Sequence, residues 1–369
     1  MLEPRAADWR GVGGAMSTAE LTIKEVPAKV SVFHHILVAT DFSKASKRAL
    51  SEALSLAEEN DAQLSLVHVL NTAWRYEMLE NPPGLALEQV DAQKRLTAFG
   101  DGIAPGQKIQ STLITHGPVA QSVAALALDQ GTDLLVIGTR GRGGLSKLTL
   151  GSVAEELLRV APCPVMAVGP KANLAPQSSG PRAILYATDF GKGSIKALPL
   201  ASSLARARKA RLILLHMMAP MPVNSASLTA YSPTAAAAED VVQWESSSRQ
   251  RCLLELKRLR EELLRPLERT SGAKAQTHFE TLNDTNGTRA FPEDRLNRVF
   301  PELLQEPEYV VGTDLFPEGI LTAAEKFNVG LIVMGANQAG SAKMLAHIPW
   351  TAVHEVVRNA PCPVMTVAG

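Results

Sequence analysis

An internal repeat constrains the fold of this chain more than any other feature of its sequence. The stretch that begins at His35, HILVATDFSKASKRALSEALSLAEENDAQLSLVHV, aligns without a gap with AILYATDFGKGSIKALPLASSLARARKARLILLHM, which begins at Ala183. A second match closes each half, with APCPVMAV at Ala161 and APCPVMTV at Ala360. The offset grows from 148 (183 − 35) to 199 (360 − 161), so the second copy has gained residues internally. One large unit has therefore been duplicated, which differs from the short repeats of a solenoid.

Each copy alternates short apolar runs with stretches of helical periodicity. In the first copy the pattern predicts strands at 35–40, 64–70, 110–115, 133–137 and 164–168, and helices at 45–58, 85–99, 119–129 and 152–160. The fourth run, DLLVI, is continuously apolar, as buried parallel strands are. The alternation predicts an α/β fold: two tandem, doubly wound domains, each built on a five-stranded parallel sheet.

Composition shifts divide the chain into segments. Residues 1–30 are expected to be a flexible N-terminal tail, 31–170 the first domain, 171–181 a linker rich in Pro, Ser and Gly, and 182–369 the second domain. The extra length of the second domain is expected at about 218–307. Within it, mixed charges at helical spacing over 239–269 predict a solvated surface helix.

Charge and composition argue against several classes of protein. The 37 basic and 37 acidic residues give no net charge, whereas sequence-independent nucleic-acid binders are usually basic, so no nucleic-acid partner is expected. No apolar run is long enough for a membrane span, and the N-terminus lacks a secretory signal. Three scattered cysteines fit a reducing compartment, so we expect a cytoplasmic protein. Neither CxxC nor HExxH occurs, so no protein metal site is expected.

Two segments are expected beyond the carboxyl ends of strands, where ligands bind in open α/β sheets. Asp41 follows the first strand, and its carboxylate could accept hydrogen bonds from ribose hydroxyls. The loop GTRGRGG, which begins at Gly138, follows the fourth strand and leads to Gly151-Ser152 at a helix start. Glycines allow backbone N–H groups to approach an anion, and a helix N-terminus attracts phosphate. The alternative is a flexible surface loop. The chain has neither a P-loop motif nor GxGxxG after the first strand.

These residues resemble the universal stress protein family. The spacing Gly138-x-x-Gly141, nine residues, then Gly151-Ser152 is similar to that family's ATP-binding signature, and the ATDF and APCPV segments are also similar. The resemblance covers nearly the whole chain from His34, as two copies. It implies a sheet with the strand order 3-2-1-4-5, and it implies that ATP or another adenine nucleotide binds with Mg²⁺.

The resemblance also implies which residues of the first half contact the nucleotide. Adenosine would lie against Ala39, Thr40 and Asp41 with Val69 beside the base, Ile137 and Gly138 would flank the ribose, and Arg140, Gly141, Gly151, Ser152 and Val153 would hold the phosphates. No general base is visible in the motif, so no catalytic residue is assigned. At most slow ATP hydrolysis is expected.

The second half departs from this signature. Asp189 is retained, but Trp350 falls where the first half has Gly151, and Pro349 precedes it. An indole in place of a hydrogen should block the approach of a phosphate, and proline removes an N–H donor. We therefore expect one nucleotide site per chain, in the first half.

The apolar fifth strands, PVMAV and PVMTV, are each preceded by proline, which favours a sheet edge. The resemblance implies that this edge mediates self-association, as an internal pseudo-dimer within one chain or as a homodimer of two chains. His68 and His216, at matching positions, are expected to be core residues with satisfied hydrogen bonds.

Three functions remain open from the sequence. The first is an ATP-binding sensor or regulatory module of the stress response. The second is a hydrolase of the related adenine-nucleotide type, and the third is an interaction scaffold without a ligand. The sequence does not choose among adenine nucleotides.

Overall fold

The computed structural model describes residues 31–70, 85–103, 105–106, 109, 111–140, 150–174, 182–218, 235–264, 306–336 and 350–368. The first half contributes β1 (His35–Ala39), α1 (Lys44–Asn60), β2 (Gln63–Leu70), α2 (Leu85–Asp101), β3 (Ser111–His116), α3 (Val119–Asp129), β4 (Leu134–Gly138), α4 (Ser152–Val160) and β5 (Val165–Val168). The second half contributes β6 (Ala183–Thr188), α5 (Lys192–Ala207), β7 (Leu212–Met217), α6 (Ala235–Leu264), β8 (Glu308–Gly312), α7 (Glu318–Lys326), β9 (Val329–Ala336), α8 (Trp350–Asn359) and β10 (Val364–Ala368).

The strands of residues 31–369 form one continuous sheet in the order β3-β2-β1-β4-β5-β10-β9-β6-β7-β8. Each half has the order that the family resemblance implies, and its own strands pair in parallel. The α/β fold predicted from strand and helix alternation is therefore confirmed. The carboxyl ends of β1 and β4 lie side by side because Ala39 is in register with Ile137.

The two halves join through their fifth strands. β5 and β10 pair antiparallel, with Met166 directly opposite Met365, and both side chains are fully buried. Since β5 also pairs with β4, and β10 with β9, neither strand has a free edge. The internal pairing thus follows the expectation for these apolar strands. A homodimer of two chains stays a prediction.

Each face of the sheet carries one core that crosses the junction. One core contains Leu50 of α1 and Leu200 of α5, and the other contains Leu157 of α4 and Val356 of α8. The long run of buried aliphatic residues in every central strand is what a sheet covered on both faces requires. No helix within the described residues is both long enough and apolar enough to cross a membrane.

The described part of the second half's extra length is a helix with a counterpart in the first half. α6 lies between β7 and β8, as α2 lies between β2 and β3, and it has 30 residues where α2 has 17. Leu256 and Leu259 are buried in the same core as Leu96 of α2. Most described residues of α6 are exposed or half-buried, as expected for a surface helix, while its hydrophobic residues at helical spacing pack on the sheet.

Candidate functional site

The turn that follows β1 brings polar groups to the carboxyl edge of the sheet. Phe42 has φ = 63°, a left-handed conformation that turns the chain sharply into α1. The backbone N–H of Phe42 donates to Thr40 Oγ1 (3.0 Å), and the N–H of Ser43 donates to Asp41 Oδ1 (3.0 Å). Thr40 Oγ1 in turn donates to Ser46 Oγ (2.9 Å). These bonds fix Thr40 and Asp41 where sequence reasoning expected the nucleoside.

His68 supports this turn from the neighbouring strand. Its Nδ1 lies 2.7 Å from the carbonyl oxygen of Thr40, and its ring lies 4.4 Å from the ring of Phe42. A carbonyl oxygen only accepts, so Nδ1 carries the proton. The second half repeats the arrangement, with His216 Nδ1 2.8 Å from Thr188 O and its ring 4.2 Å from Phe190. Both histidines hold the turn after a strand, which agrees with the structural role expected for them.

Gly138 lies where α1 rests on the end of β4. A Cβ at this position would come within 2.6 Å of the carbonyl carbon of Ala45 and 2.7 Å of the backbone nitrogen of Ser46. Both contacts are with backbone, which cannot rotate away, so only glycine allows this approach. Gly335 occupies the equivalent place in the second half, where an added Cβ would come within 2.3 Å of backbone atoms of Gly193 and Ser194. Packing therefore explains why both halves have glycine here.

The start of α4 is anchored to the end of β4. The N–H of Gly151 donates to the carbonyl oxygen of Thr139 (3.0 Å), and Gly151 is the N-cap of α4 without a side-chain capping bond. Ser152 and Val153, in the first turn, are exposed. Thr139 is 1 % exposed, and its Oγ1 has no hydrogen-bond partner within the described part of the chain. A helix start without a capping side chain leaves N–H groups that an anion could bind.

The apolar residues expected near adenosine share one face of the sheet. Ala39, Val69 and Ile137 belong to, or pack against, the core formed with α3 and α4. Val69 and Ile137 are buried, at 7 % and 2 % exposed. Any contact of Val69 or Ile137 with a nucleotide would therefore come from the backbone at the strand ends more than from exposed side chains.

The structure brings most of the expected residues to one edge but does not describe all of them. Ser43 follows Thr40 and Asp41 directly before α1, and its Oγ donates to the carbonyl oxygen of Arg140 (3.2 Å). This bond brings the turn after β1 next to the chain that leaves β4. Gly141 lies outside the described residues, as do the other glycines and basic residues of the loop through 149.

Ser43 is the site residue that sequence reasoning missed. It is the N-cap of α1, where its Oγ accepts from the N–H of Ser46 (3.2 Å). A serine just before a helix is a recognisable capping signal, but its bond to the fourth-strand exit joins residues 97 apart and has no signature in the sequence.

The equivalent edge of the second half is built differently. Gly191 stands at the N-cap position of α5 and gives no side-chain cap. The carboxylate of Asp189 accepts from the N–H of Gly191 (2.8 Å) and from the hydroxyl of Ser194 (2.6 Å). The backbone of α8 begins at Trp350, the position aligned with Gly151, while residues 337–349 lie outside the described part.

Neither fifth-strand cysteine shows the features of a reactive thiol. Burial raises the pKa of both Cys163 and Cys362 to about 12, so both remain protonated at neutral pH. Among the described residues, no cluster of three His, Cys, Asp or Glu side chains could hold a metal ion.

Comparison with known proteins places both halves in the same group. A model of the "Universal stress protein family" matches residues 33–169 and 181–368. Universal stress protein A homolog 1 of Coxiella burnetii is 38% identical over 142 residues, which is 37% of this chain and 96% of that protein. Universal stress protein YxiE of Bacillus subtilis is 29% identical over 147 residues, 37% of this chain and 99% of that protein.

A likeness to solved structures extends across both halves. The crystal structure of a universal stress protein from Archaeoglobus fulgidus covers 90% of this chain and 98% of its own, with a TM-score of 0.51 and 16% sequence identity. At this identity the likeness concerns the fold alone.

Proposed function

Because this chain belongs to the universal stress protein family through both of its halves, we propose that its first half binds one adenine nucleotide, ATP, and that the chain acts as a nucleotide-dependent sensor or regulatory module in the stress response. Hydrolysis, if any, is slow in this proposal, because the motif supplies no positioned general base.

The observation that carries the proposal is that three chain segments meet at the carboxyl edge of the first half's strands. The turn after β1, the end of β4 and the start of α4 are tied together by the Ser43–Arg140 bond and the Gly151–Thr139 bond. Adenosine needs a carboxylate and backbone groups at its ribose, and phosphates need N–H donors at a helix start. Both kinds of group lie at this edge.

Each expected residue has a role in this proposal. Ala39, Thr40, Asp41 and the end of β2 at Val69 would contact adenosine, Ile137 and Gly138 would lie beside the ribose, and Arg140, Gly141, Gly151, Ser152 and Val153 would surround the phosphates. For Gly138 the packing against α1 limits this role to its backbone. The guanidinium of Arg140 suits phosphate because it offers charge and several N–H donors.

Magnesium would arrive with the nucleotide. Mg²⁺ in nucleotide sites is commonly held by phosphates, waters and one or two carboxylates rather than by a protein cage. Asp41 is the carboxylate that the proposed site itself contains.

The second half is proposed to have no such site. Its matching acid, Asp189, accepts from the N–H of Gly191 as Asp41 does from Ser43, and it also accepts from the hydroxyl of Ser194 in its own helix α5. Trp350 begins α8 at the position aligned with Gly151, and an indole in place of a hydrogen is expected to block the approach of a phosphate. This half would stabilise the first through the shared sheet.

A displacement titration with a fluorescent ATP analogue tests the proposal. We expect ATP with Mg²⁺ to displace the analogue from the wild-type chain, and we expect Gly151→Trp, which copies the second half, to weaken binding at least about tenfold. Thermal unfolding of the variant controls for misfolding. A folded wild-type chain that binds no adenine nucleotide would favour the scaffold function, and equal binding by Gly151→Trp would exclude α4 as the phosphate site.

A further inference from the structure

Ser43 joins two functional segments through one hydroxyl group. Its Oγ accepts from the N–H of Ser46, which caps α1, and donates to the carbonyl oxygen of Arg140 at 3.2 Å. Ser46 Oγ is a second possible acceptor at the longer distance of 3.4 Å. A hydroxyl has one proton to donate, so we assign it to the shorter hydrogen bond, the one to the carbonyl oxygen of Arg140.

This bond fixes the chain where it leaves β4. The other side of the same site is fixed by the Gly151–Thr139 bond at the start of α4. Gly138 allows α1 to rest directly on the end of β4, which brings Ser43 within reach of Arg140. The backbone at Thr139 and Arg140 is therefore held from two directions, by α1 and by α4.

The second half lacks the first of these two contacts. The residue aligned with Ser43 is Gly191 (191 − 43 = 148), which has no hydroxyl. Ser194, aligned with Ser46, donates instead to Asp189 of its own turn. The half expected not to bind a nucleotide is thus the half in which no capping hydroxyl can reach the neighbouring strand exit.

We infer that Ser43 is a positioning residue, which holds Arg140 and the end of β4 in place for the phosphates of the bound nucleotide. This inference rests on the proposed function of the first half. The hydroxyl is already engaged by Ser46 and Arg140, so it acts through Arg140 and does not contact the ligand. Fixing a segment in its bound geometry before binding strengthens affinity, because less ordering remains to be done on association.

The inference predicts an effect that depends on phosphate. Loss of the bond should weaken the binding of ATP, whose phosphates lie against Arg140, but not that of adenosine, which contacts the turn after β1. A merely structural role, through the cap of α1, would weaken both ligands alike. The ratio of the two affinities therefore separates positioning from folding.

The experiment compares Ser43→Ala, Ser43→Gly and Ser43→Thr with the wild-type chain by calorimetry with ATP and with adenosine. We expect Ala and Gly to weaken ATP binding roughly three- to tenfold, in line with one lost neutral hydrogen bond, and to change adenosine binding less than about twofold. Threonine, which keeps the hydroxyl, should restore ATP binding. Ser51→Ala is the matched control, because the Ser51 hydroxyl donates within its own helix, to Lys47 O, and lies outside the proposed site.

Hydrogen exchange in the ligand-free protein supplies a second readout. We expect amides at residues 139–140 to exchange faster in Ser43→Ala than in Ser51→Ala. Equal losses for ATP and adenosine, or unchanged exchange at these amides, would overturn the inference while leaving the nucleotide site intact. If the wild-type chain binds neither ligand, the proposed function fails, and the phosphate-positioning role of Ser43 fails with it.

Discussion

Replacing Gly138 with alanine tests whether this glycine is required for packing or for the ligand. The new Cβ would lie 2.6 Å from the carbonyl carbon of Ala45 and 2.7 Å from the nitrogen of Ser46. Ordinary contacts between such atoms are about 3.5 Å or longer, so α1 or β4 must shift by most of an ångström. Overpacking of this kind costs about 1–3 kcal/mol. We expect the upper part of that range, because both opposing atoms belong to backbone.

Chemical denaturation measures this loss directly, and thermal unfolding should show a fall of roughly 4–8 °C. Gly335→Ala is the matched variant, with contacts of 2.3 Å in the second half, and it should destabilise at least as much. Gly102→Ala is the control, because its nearest opposing atom lies at 3.1 Å and the residue is exposed. Wild-type stability in Gly138→Ala together with lost ATP binding would refute the packing explanation and assign Gly138 to the ligand.

Three further predictions concern charges within the fold. Burial is the main cause that raises the pKa of Glu52, so its protonated carboxyl stabilises the fold fully below pH 4.5, and this stabilisation is lost as pH rises. Glu52→Gln, which stays neutral, should therefore raise the free energy of unfolding at pH 7. An unchanged free energy in urea denaturation would contradict this prediction. Arg208 Nε lies 2.8 Å from Glu59 Oε2 and links the end of α5 to α1. A double-mutant cycle to alanine should give a coupling free energy of about 0.5–1 kcal/mol. No measurable coupling would exclude a stabilising role for this ion pair between the two halves. Burial is the main cause that lowers the pKa of His216 below 6.5, so the folded state favours the neutral imidazole and loses stability as pH falls below 6.5. His216→Gln should therefore reduce the loss of unfolding free energy between pH 7 and pH 5. An identical pH profile in the variant and the wild-type chain would contradict this assignment.

The sequence was a good guide to the fold because the repeat and the periodicity reported the same architecture. The continuous apolar run DLLVI became the central strand β4, Leu134–Gly138, and the matched fifth strands became the antiparallel junction. What the sequence could not show was the register by which the two sheets merge into one, with Met166 opposite Met365. Strand pairing across the junction depends on shape and register, which a pattern of apolar residues does not encode.

The candidate site was predictable in outline and less so in mechanism. Asp41 and Gly151 could be placed at one edge, because the carboxyl ends of parallel strands lie together. The role of Gly138 in packing was hidden, since a glycine in a loop motif does not reveal what opposes it. The bond from Ser43 to Arg140 was hidden for the same reason: it depends on how closely α1 approaches β4.

The charged helix was predicted in its character but not in its packing partner. Mixed charges over α6 indicated a surface helix, and the sequence did not show that Leu256 and Leu259 would be buried against the sheet. Only a narrow face of this helix is apolar, so the many charged residues around it hide the apolar periodicity when the whole segment is considered.

The most direct test of the central claim is the number of ATP molecules bound per chain, measured by calorimetry with Mg²⁺ at a known concentration of folded protein. We predict a stoichiometry near one that is lost in Asp41→Ala and retained in Asp189→Ala, because the proposed nucleotide site lies in the first half alone. A stoichiometry near two, or binding that depends on Asp189 and not on Asp41, would contradict the claim.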